Sequence, residues 1–251
     1  MTVPAGREAR TVFATARRVL GQLAHDLGTV ALILALPCVL LILLRWVFHG
    51  VPGSFARAGP QLFGVFPLIV MYLVASVATL RERVNGTLDR LLCLPMRRLD
   101  LLLGYVVAFG VLAVAQAGIA TGLAVGVLGM RVAGPVWLLL LAAALDALLG
   151  LALGLLTSAF ARTEFQAVQY LPAVILPQFL LCGLFVPPEA MDGTLRLLAD
   201  TMPMTYAVQA TSRIATEPGI TSALLADLAA VTAFLLACLI LGAFTLRRRT
   251  P

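Results

Sequence analysis

Long apolar runs separated by short polar segments set the pattern of this sequence. Each run holds about the 20 apolar residues that a helix needs to cross a bilayer core of about 30 Å. The six runs cover residues 27–48, 60–80, 101–127, 136–157, 165–186 and 223–246. Continuous apolar runs of this length exclude the alternating pattern of a membrane β-barrel. The pattern therefore predicts an all-α integral membrane protein with six transmembrane helices.

The segments outside these runs also show helical periodicity. Residues 1–26 predict an interfacial helix with one apolar face, and residues 187–222 predict two half-helices divided at Pro203, the first with an apolar face that dips into the outer edge of the membrane. The first apolar face consists of Val12, Phe13, Ala16, Val19, Leu20 and Leu23, and the second of Met191, Leu195, Leu198 and Met202. No shift in composition and no linker divides the chain, so we expect a single membrane domain over residues 1–251.

Composition and charge agree with a membrane location. The chain is 61% hydrophobic and 12% charged, against roughly 45–50% apolar residues in soluble domains. All 18 basic residues are arginines. If the N-terminus is cytoplasmic, 13 of them lie on the cytoplasmic side and 5 outside, namely Arg45, Arg57, Arg131, Arg196 and Arg213. The positive-inside rule therefore predicts a multi-pass protein of the cell membrane with both termini cytoplasmic, and headgroup contacts explain the net charge of +6 without any nucleic acid.

The polar stretch RERVNGTLDRLLCLPMRR, residues 81–98, separates the second and third runs on the predicted cytoplasmic side. It predicts a short amphipathic helix, because its apolar residues recur on one helical face after Gly86 and Thr87 and stop at Pro95. Such a helix either lies on lipid headgroups or docks on a protein. Acids alternate with arginines at Arg81, Glu82 and Arg83, and again at Asp89 and Arg90, which favours a protein partner.

Two stretches resemble a known family. The first holds the cytoplasmic motif of ABC transporter permeases of the ABC-2 type, carried by Glu82, Gly86, Thr87, Leu88, Leu91, Leu92 and Pro95 and followed by a basic pair. The second, residues 179–213, is similar to that family's fifth span, outer loop and Pro-x-Thr-Tyr segment. Drug-efflux permeases of the daunorubicin-resistance kind are the subgroup that the chain resembles most.

This resemblance implies an ABC-2 type transmembrane domain and a division of labour between chains. The permease would pair with a second permease copy, identical or different, and with two copies of an ABC ATPase docked on the coupling residues Arg81, Glu82, Arg83, Gly86, Thr87, Leu88, Asp89, Arg90, Leu91 and Pro95. It would export a hydrophobic or amphipathic compound, drug-like, lipid-like or a glycan. The path would be lined by the first, second and fifth spans, with Tyr72, Ser76, Gln178 and Phe179 as candidate contacts.

The sequence also places ATP hydrolysis on another chain. A P-loop uses a lysine to reach the β- and γ-phosphates of ATP, and this chain contains no lysine. We therefore expect no cofactor on this chain, with ATP and Mg²⁺ held by the partner ATPase. The dispersed cysteines and histidines form no motif for a metal or for catalysis, so no enzymatic site is predicted.

Two intramembrane features have more than one interpretation. Asp146 lies in the middle of the fourth run, where it is either a hydrogen-bonded structural group or the coupling site of an ion- or proton-driven secondary transporter. Glycines recur every four residues at 118, 122 and 126 and again at 150 and 154, a spacing that permits close helix packing. For both sets we expect packing within one subunit rather than between subunits.

Overall fold

The computed structural model describes residues 5–51, 53–84 and 98–245, and this part of the chain is helical with no β-strand. A π-helical turn, Leu123–Val127, prolongs the fifth helix, and a 3₁₀ turn, Pro188–Ala190, precedes the eighth. The α-helices of the described residues are α1 Ala5–His25, α2 Leu27–Val47, α3 Ser54–Phe63, α4 Phe66–Val84, α5 Arg98–Gly122, α6 Val136–Ser158, α7 Glu164–Leu181, α8 Gly193–Asp200, α9 Pro203–Thr216 and α10 Ser222–Thr245.

Five helical segments of the described chain are long and apolar enough to cross a membrane. They are Leu27–Val47, Ser54–Glu82, Leu103–Val127, Val136–Ser158 and Ser222–Thr245, and they match five of the six predicted spans. The predicted fifth span corresponds to α7, which has 18 residues and contains Pro172 and Pro177. Whether α7 crosses the membrane, and on which side the termini lie, stay predictions.

The predicted second span is two helices rather than one. α3 ends at Phe63 and α4 begins at Phe66, with Gly64 between them. A Cβ atom at Gly64 would lie 2.6 Å from the Thr211 hydroxyl oxygen and 2.9 Å from the Ala207 carbonyl oxygen, both on α9. Because α9 approaches the chain this closely, the break needs glycine.

α6 is the central helix of the bundle and packs against α4, α5 and α10. Its glycines make the contact with α4 close. A Cβ atom at Gly150 would collide with the carbonyl oxygen of Leu68, and one at Gly154 would lie 2.5 Å from that of Tyr72. The prediction of packing within one subunit is confirmed for this pair.

The same prediction is wrong for α5. Cβ atoms built at Gly118, Gly122 and Gly126 meet no atom of the structure within 4 Å. The face of α5 that packs against α6 carries alanines instead, among them Ala117 and Ala120. The glycine spacing defines a common face, and on α5 that face points away from the bundle.

The predicted terminal and outer helices are present. α1 buries Ala16, Val19 and Leu23 and packs along α5, although Phe13, placed on the same face by the sequence, is 68% exposed. In the outer segment α8 and α9 are separate helices, with Pro203 at the start of α9. α9 is largely buried and packs against α10 and α3, so it is part of the bundle rather than a surface loop.

Candidate functional site

The predicted coupling segment begins at the end of α4. Arg81, Glu82 and Arg83 belong to this helix, so its last turn leads directly into the polar stretch. The other predicted coupling residues lie outside the described part of the chain and their roles stay predictions; they are Gly86, Thr87, Leu88, Asp89, Arg90, Leu91 and Pro95.

Glu82 ties the end of α4 to α1 and α5 through one arginine. The Nη1 atom of Arg18 lies 3.3 Å from Oε1 of Glu82, and its Nη2 atom lies 3.4 Å from both Oε2 of Glu82 and the hydroxyl oxygen of Tyr105. The Glu82 side chain is 14% exposed and that of Arg18 is 27% exposed. Partial burial reduces solvent screening, so this pair interacts more strongly than an ion pair in water.

Arg81 connects the same turn of α4 to the start of α7. Its Nε and Nη2 atoms donate to the two carboxylate oxygens of Glu164 at 3.0 and 3.3 Å. A bidentate guanidinium–carboxylate pair fixes the orientation of both side chains, although its half-exposed position limits its contribution to stability. Glu164 is the first residue of α7, where a carboxylate also interacts favourably with the helix dipole.

A cavity of about 780 Å³ opens beside these two ion pairs, at the α1 end of the bundle. Arg81, Glu82 and Glu164 lie along one part of its wall. The apolar part of the wall comes from several helices; it includes Leu32, Leu73, Val77, Phe109 and Val168. The cavity therefore offers both charged and apolar surface, which is the chemistry that an amphipathic molecule needs.

Asp26 lies at the mouth of the cavity and caps α2. Its Oδ1 accepts from the backbone N–H of Thr29 at 3.1 Å, and its Oδ2 accepts from the Thr29 hydroxyl at 2.7 Å. These hydrogen bonds lower the pKa of Asp26 below its usual value, so the carboxylate is charged at neutral pH. Sequence reasoning missed this residue, although an aspartate directly before an apolar run is a helix-start signal.

The predicted substrate-path residues do not line this cavity. Tyr72 and Ser76 are fully buried, and they lie where α4 meets the Gly154 region of α6. Gln178 is also buried: its Nε2 donates to the Val174 carbonyl at 2.9 Å and its Oε1 accepts from the Met204 N–H at 3.4 Å. Substrate contact by these side chains stays a prediction, because in this structure they contact other parts of the same chain.

Phe179, the fourth candidate, lies toward the opposite end of the bundle. It is half-buried, and its ring meets that of Phe185 edge-on, with 5.6 Å between the ring centroids.

Asp146 is fully buried in α6 and bonds to the backbone of α4. Its Oδ2 accepts from the Leu68 N–H at 3.2 Å, while its Oδ1 has no hydrogen-bond partner in the described part of the chain. Leu68 lies in the first turn of α4, where backbone N–H groups lack partners within the helix. Asp146 therefore acts as a cap supplied by a neighbouring helix, which agrees with the structural interpretation of this residue.

Among the described residues no group of three or more His, Cys, Asp or Glu side chains could hold a metal ion.

Comparison with known proteins identifies relatives over most of the chain. A family model described as "ABC-2 type transporter" matches residues 10–215. The chain is 30% identical over 132 residues to "Inner membrane transport permease YhhJ" of Escherichia coli (strain K12), covering 52% of this chain and 35% of the relative. It is 28% identical over 155 residues to "Probable multidrug ABC transporter permease YbhR" of the same organism, covering 62% and 42%.

A more distant relative is "ABC transporter G family member 20" of Dictyostelium discoideum, 26% identical over 134 residues, which cover 53% of this chain and 18% of that protein. In each of these comparisons the matched region spans less than half of the relative's length.

Proposed function

Because this chain belongs to the ABC-2 type transporter family and is a multi-pass membrane protein, we propose that it is the permease subunit of an ATP-driven exporter. In this proposal it moves a hydrophobic or amphipathic compound outward across the cell membrane. It works with two copies of an ABC ATPase, which hold ATP and Mg²⁺, and with a second permease copy. The family match and the names of the relatives support the proposal.

The observation that supports coupling between the ATPase and the membrane helices is the presence of two ion pairs at the end of α4. Glu82 bonds to Arg18 of α1, and Arg81 bonds to Glu164 of α7. A partner that pushes on residues 85–95 would displace the last turn of α4, and these bonds would carry the displacement to both neighbouring helices. The cavity beside them would change shape in the same step, because α1, α4 and α7 all contribute to its wall.

This cavity is the access site that we propose for the transported compound. It lies at the α1 end of the bundle, which the arginine distribution predicts to face the cytoplasm. The apolar part of its wall fits a hydrophobic moiety, while Asp26 and Glu164 offer acceptors to a polar group.

The composition of the chain supports ATP hydrolysis on a separate subunit. A standard P-loop requires a lysine, and this chain contains none.

Crosslinking tests the partnership directly. We expect a photoreactive group on a cysteine at Thr87 to capture an ATPase subunit when the complex is purified gently from its native membrane, after Cys93 and the other native cysteines are replaced. The same group at Ser54, on the opposite end of the bundle, is the matched control. Capture of lipid alone at position 87, or of the ATPase equally at both positions, would contradict the proposed docking site.

The alternative is a proton- or ion-coupled transporter that uses Asp146. The observation that favours it is the buried Oδ1 atom of Asp146, which has no hydrogen-bond partner among the described residues. Transport that needs an ion gradient but no ATPase would support this alternative, and transport that stops when ATP hydrolysis is blocked would exclude it.

A further inference from the structure

A second cavity, of about 550 Å³, lies at the end of the bundle opposite α1. Its wall comes from three segments: the chain just after α2, one face of α3, and the chain that follows α7. The volume falls within the range of small-molecule sites. The proposed transport mechanism gives this cavity no role.

α3 turns its polar face toward the cavity. Ser54, Arg57 and Gln61 are three and seven residues apart, which places them on one side of the helix, and all three line the cavity. Phe55 and Phe63, on the other side, are buried in the bundle. Because the apolar side anchors α3, its polar side is held in position at the cavity wall.

Arg57 gives this wall a positive charge that no acid among its described residues offsets. Among the described lining residues Arg57 is the only one with a charged side chain. No described residue forms a hydrogen bond or an ion pair with it. Gly53, which also lines the cavity, precedes α3 with a φ of 80° and supplies no side-chain cap. The N–H groups of the first turn of α3 add to the positive potential there.

The rest of the wall is apolar. The ring of Phe185 meets that of Phe179 edge-on. The other described lining residues are Phe48, Ala58, Leu62, Leu184 and Phe185. A guanidinium group beside apolar side chains matches a molecule with a negative headgroup and a hydrocarbon chain, since Arg binds phosphate and carboxylate groups through paired hydrogen bonds.

We propose that this cavity binds an anionic membrane lipid, with its phosphate on Arg57 and its first methylene groups on the aromatic and leucine side chains. The charge complementarity of the wall selects an anionic lipid over a zwitterionic one. The inference does not depend on what the protein transports, so it can fail while the transport proposal stands.

Native mass spectrometry of the full-length chain tests the proposal. The chain is placed in nanodiscs that contain phosphatidylglycerol and phosphatidylcholine, and the lipid that stays bound after release from the disc is counted. We expect wild type to retain phosphatidylglycerol and Arg57→Gln to lower the ratio of lipid-bound to lipid-free chain by on the order of tenfold, the effect of losing a charged hydrogen-bond donor. Arg57→Lys, which keeps the charge, should retain the lipid.

Arg196→Gln is the matched control, because Arg196 is an exposed arginine of α8 that does not line this cavity. We expect it to retain phosphatidylglycerol as wild type does. Equal retention by Arg57→Gln and wild type would overturn the proposal, as would an equal loss in Arg196→Gln, which would indicate unspecific attraction. Binding of inorganic phosphate by wild type in phosphatidylcholine discs, abolished by Arg57→Gln, would also overturn it, because the ligand would then be a free anion.

Discussion

Oδ2 of Asp146 accepts a hydrogen bond from the backbone N–H of Leu68 across 3.2 Å inside the bundle. This bond joins the middle of α6 to the first turn of α4, next to the break at Gly64. Gln178 makes a similar contact with the first turn of α9, where its Oε1 accepts from the Met204 N–H. Helices that begin within an apolar bundle need such partners, because lipid supplies none.

Two substitutions of Asp146 distinguish its role as a cap for Leu68 from a role in proton coupling. Asp146→Asn keeps an amide oxygen that can accept from Leu68, so we expect it to fold and, if the cap is the role of this residue, to transport at close to the wild-type rate. Asp146→Ala leaves the buried N–H without a partner and should cost about 1–3 kcal/mol of unfolding free energy. Thermal unfolding in detergent and transport in proteoliposomes measure the two effects. Loss of transport in a well-folded Asp146→Asn variant would instead indicate proton coupling.

The pair Arg18–Glu82 should couple α1 to α4 energetically. We expect Arg18→Gln and Glu82→Gln each to destabilise the protein, and the double variant to lose less than the sum of the two, with an interaction energy of about 1 kcal/mol. A double-mutant cycle on unfolding free energies measures this. Arg17→Gln is the control, because Arg17 is the neighbouring residue and is exposed. Additive effects of the two substitutions would show that the pair contributes nothing.

The Arg18–Glu82 pair should also affect the coupling of ATP hydrolysis to transport. If α1 follows the last turn of α4, Glu82→Gln should lower transport per ATP hydrolysed, while Arg17→Gln should leave this ratio unchanged. The charge-reversed variant with Arg18→Glu and Glu82→Arg should restore part of the ratio. Measurement of transport and hydrolysis in the reconstituted complex checks this, and unchanged coupling in Glu82→Gln would contradict the proposed mechanism.

The two glycine sets give a prediction with an internal control. Gly150→Ala forces a Cβ atom against the Leu68 carbonyl, a backbone atom that cannot turn aside, so we expect destabilisation of at least about 1–3 kcal/mol from overpacking. Gly118→Ala meets open space and removes a helix-destabilising glycine, so it should be neutral or slightly stabilising. Thermal unfolding of the two variants compares them, and a similar effect of both substitutions would mean that the α4–α6 contact is looser than described.

Apolar runs and local signals predicted much of this fold, because they depend on neighbouring residues. Five spans and the division of the outer segment at Pro203 follow from such signals. The need for glycine at position 64 could not be predicted in the same way, since it comes from the close approach of α9, a helix far along the chain. The glycines of α5 and α6 have the same spacing, but only those of α6 pack against another helix. Spacing shows which residues share a face of a helix, and it does not show what that face contacts.

At the candidate site, too, the local sequence pattern does not predict partners that are distant along the chain. The local pattern of charges predicts Arg81 and Glu82, but their partners Glu164 and Arg18 are 83 and 64 residues away in the sequence. Only the packing of α1 and α7 against α4 brings these charges together. Tyr72 and Ser76 are candidate path contacts on the second span, which the family resemblance implies to line the path. In the structure both are buried near α6, and their contact with a substrate stays a prediction.

The neighbouring positions 76 and 77 on α4 distinguish a substrate path through the cavity from one along Tyr72 and Ser76. Val77 lines the cavity, whereas Ser76 is fully buried. In a chain without native cysteines, we therefore expect Val77→Cys to react readily with N-ethylmaleimide and Ser76→Cys, which is nearly isosteric with the native residue, to react slowly or not at all. A transported compound that occupies the cavity should protect position 77. Faster labelling at position 76, or protection there alone, would support the path through Tyr72 and Ser76 and contradict the one through the cavity, because the reagent and the compound reach only side chains that open to a solvent-accessible space.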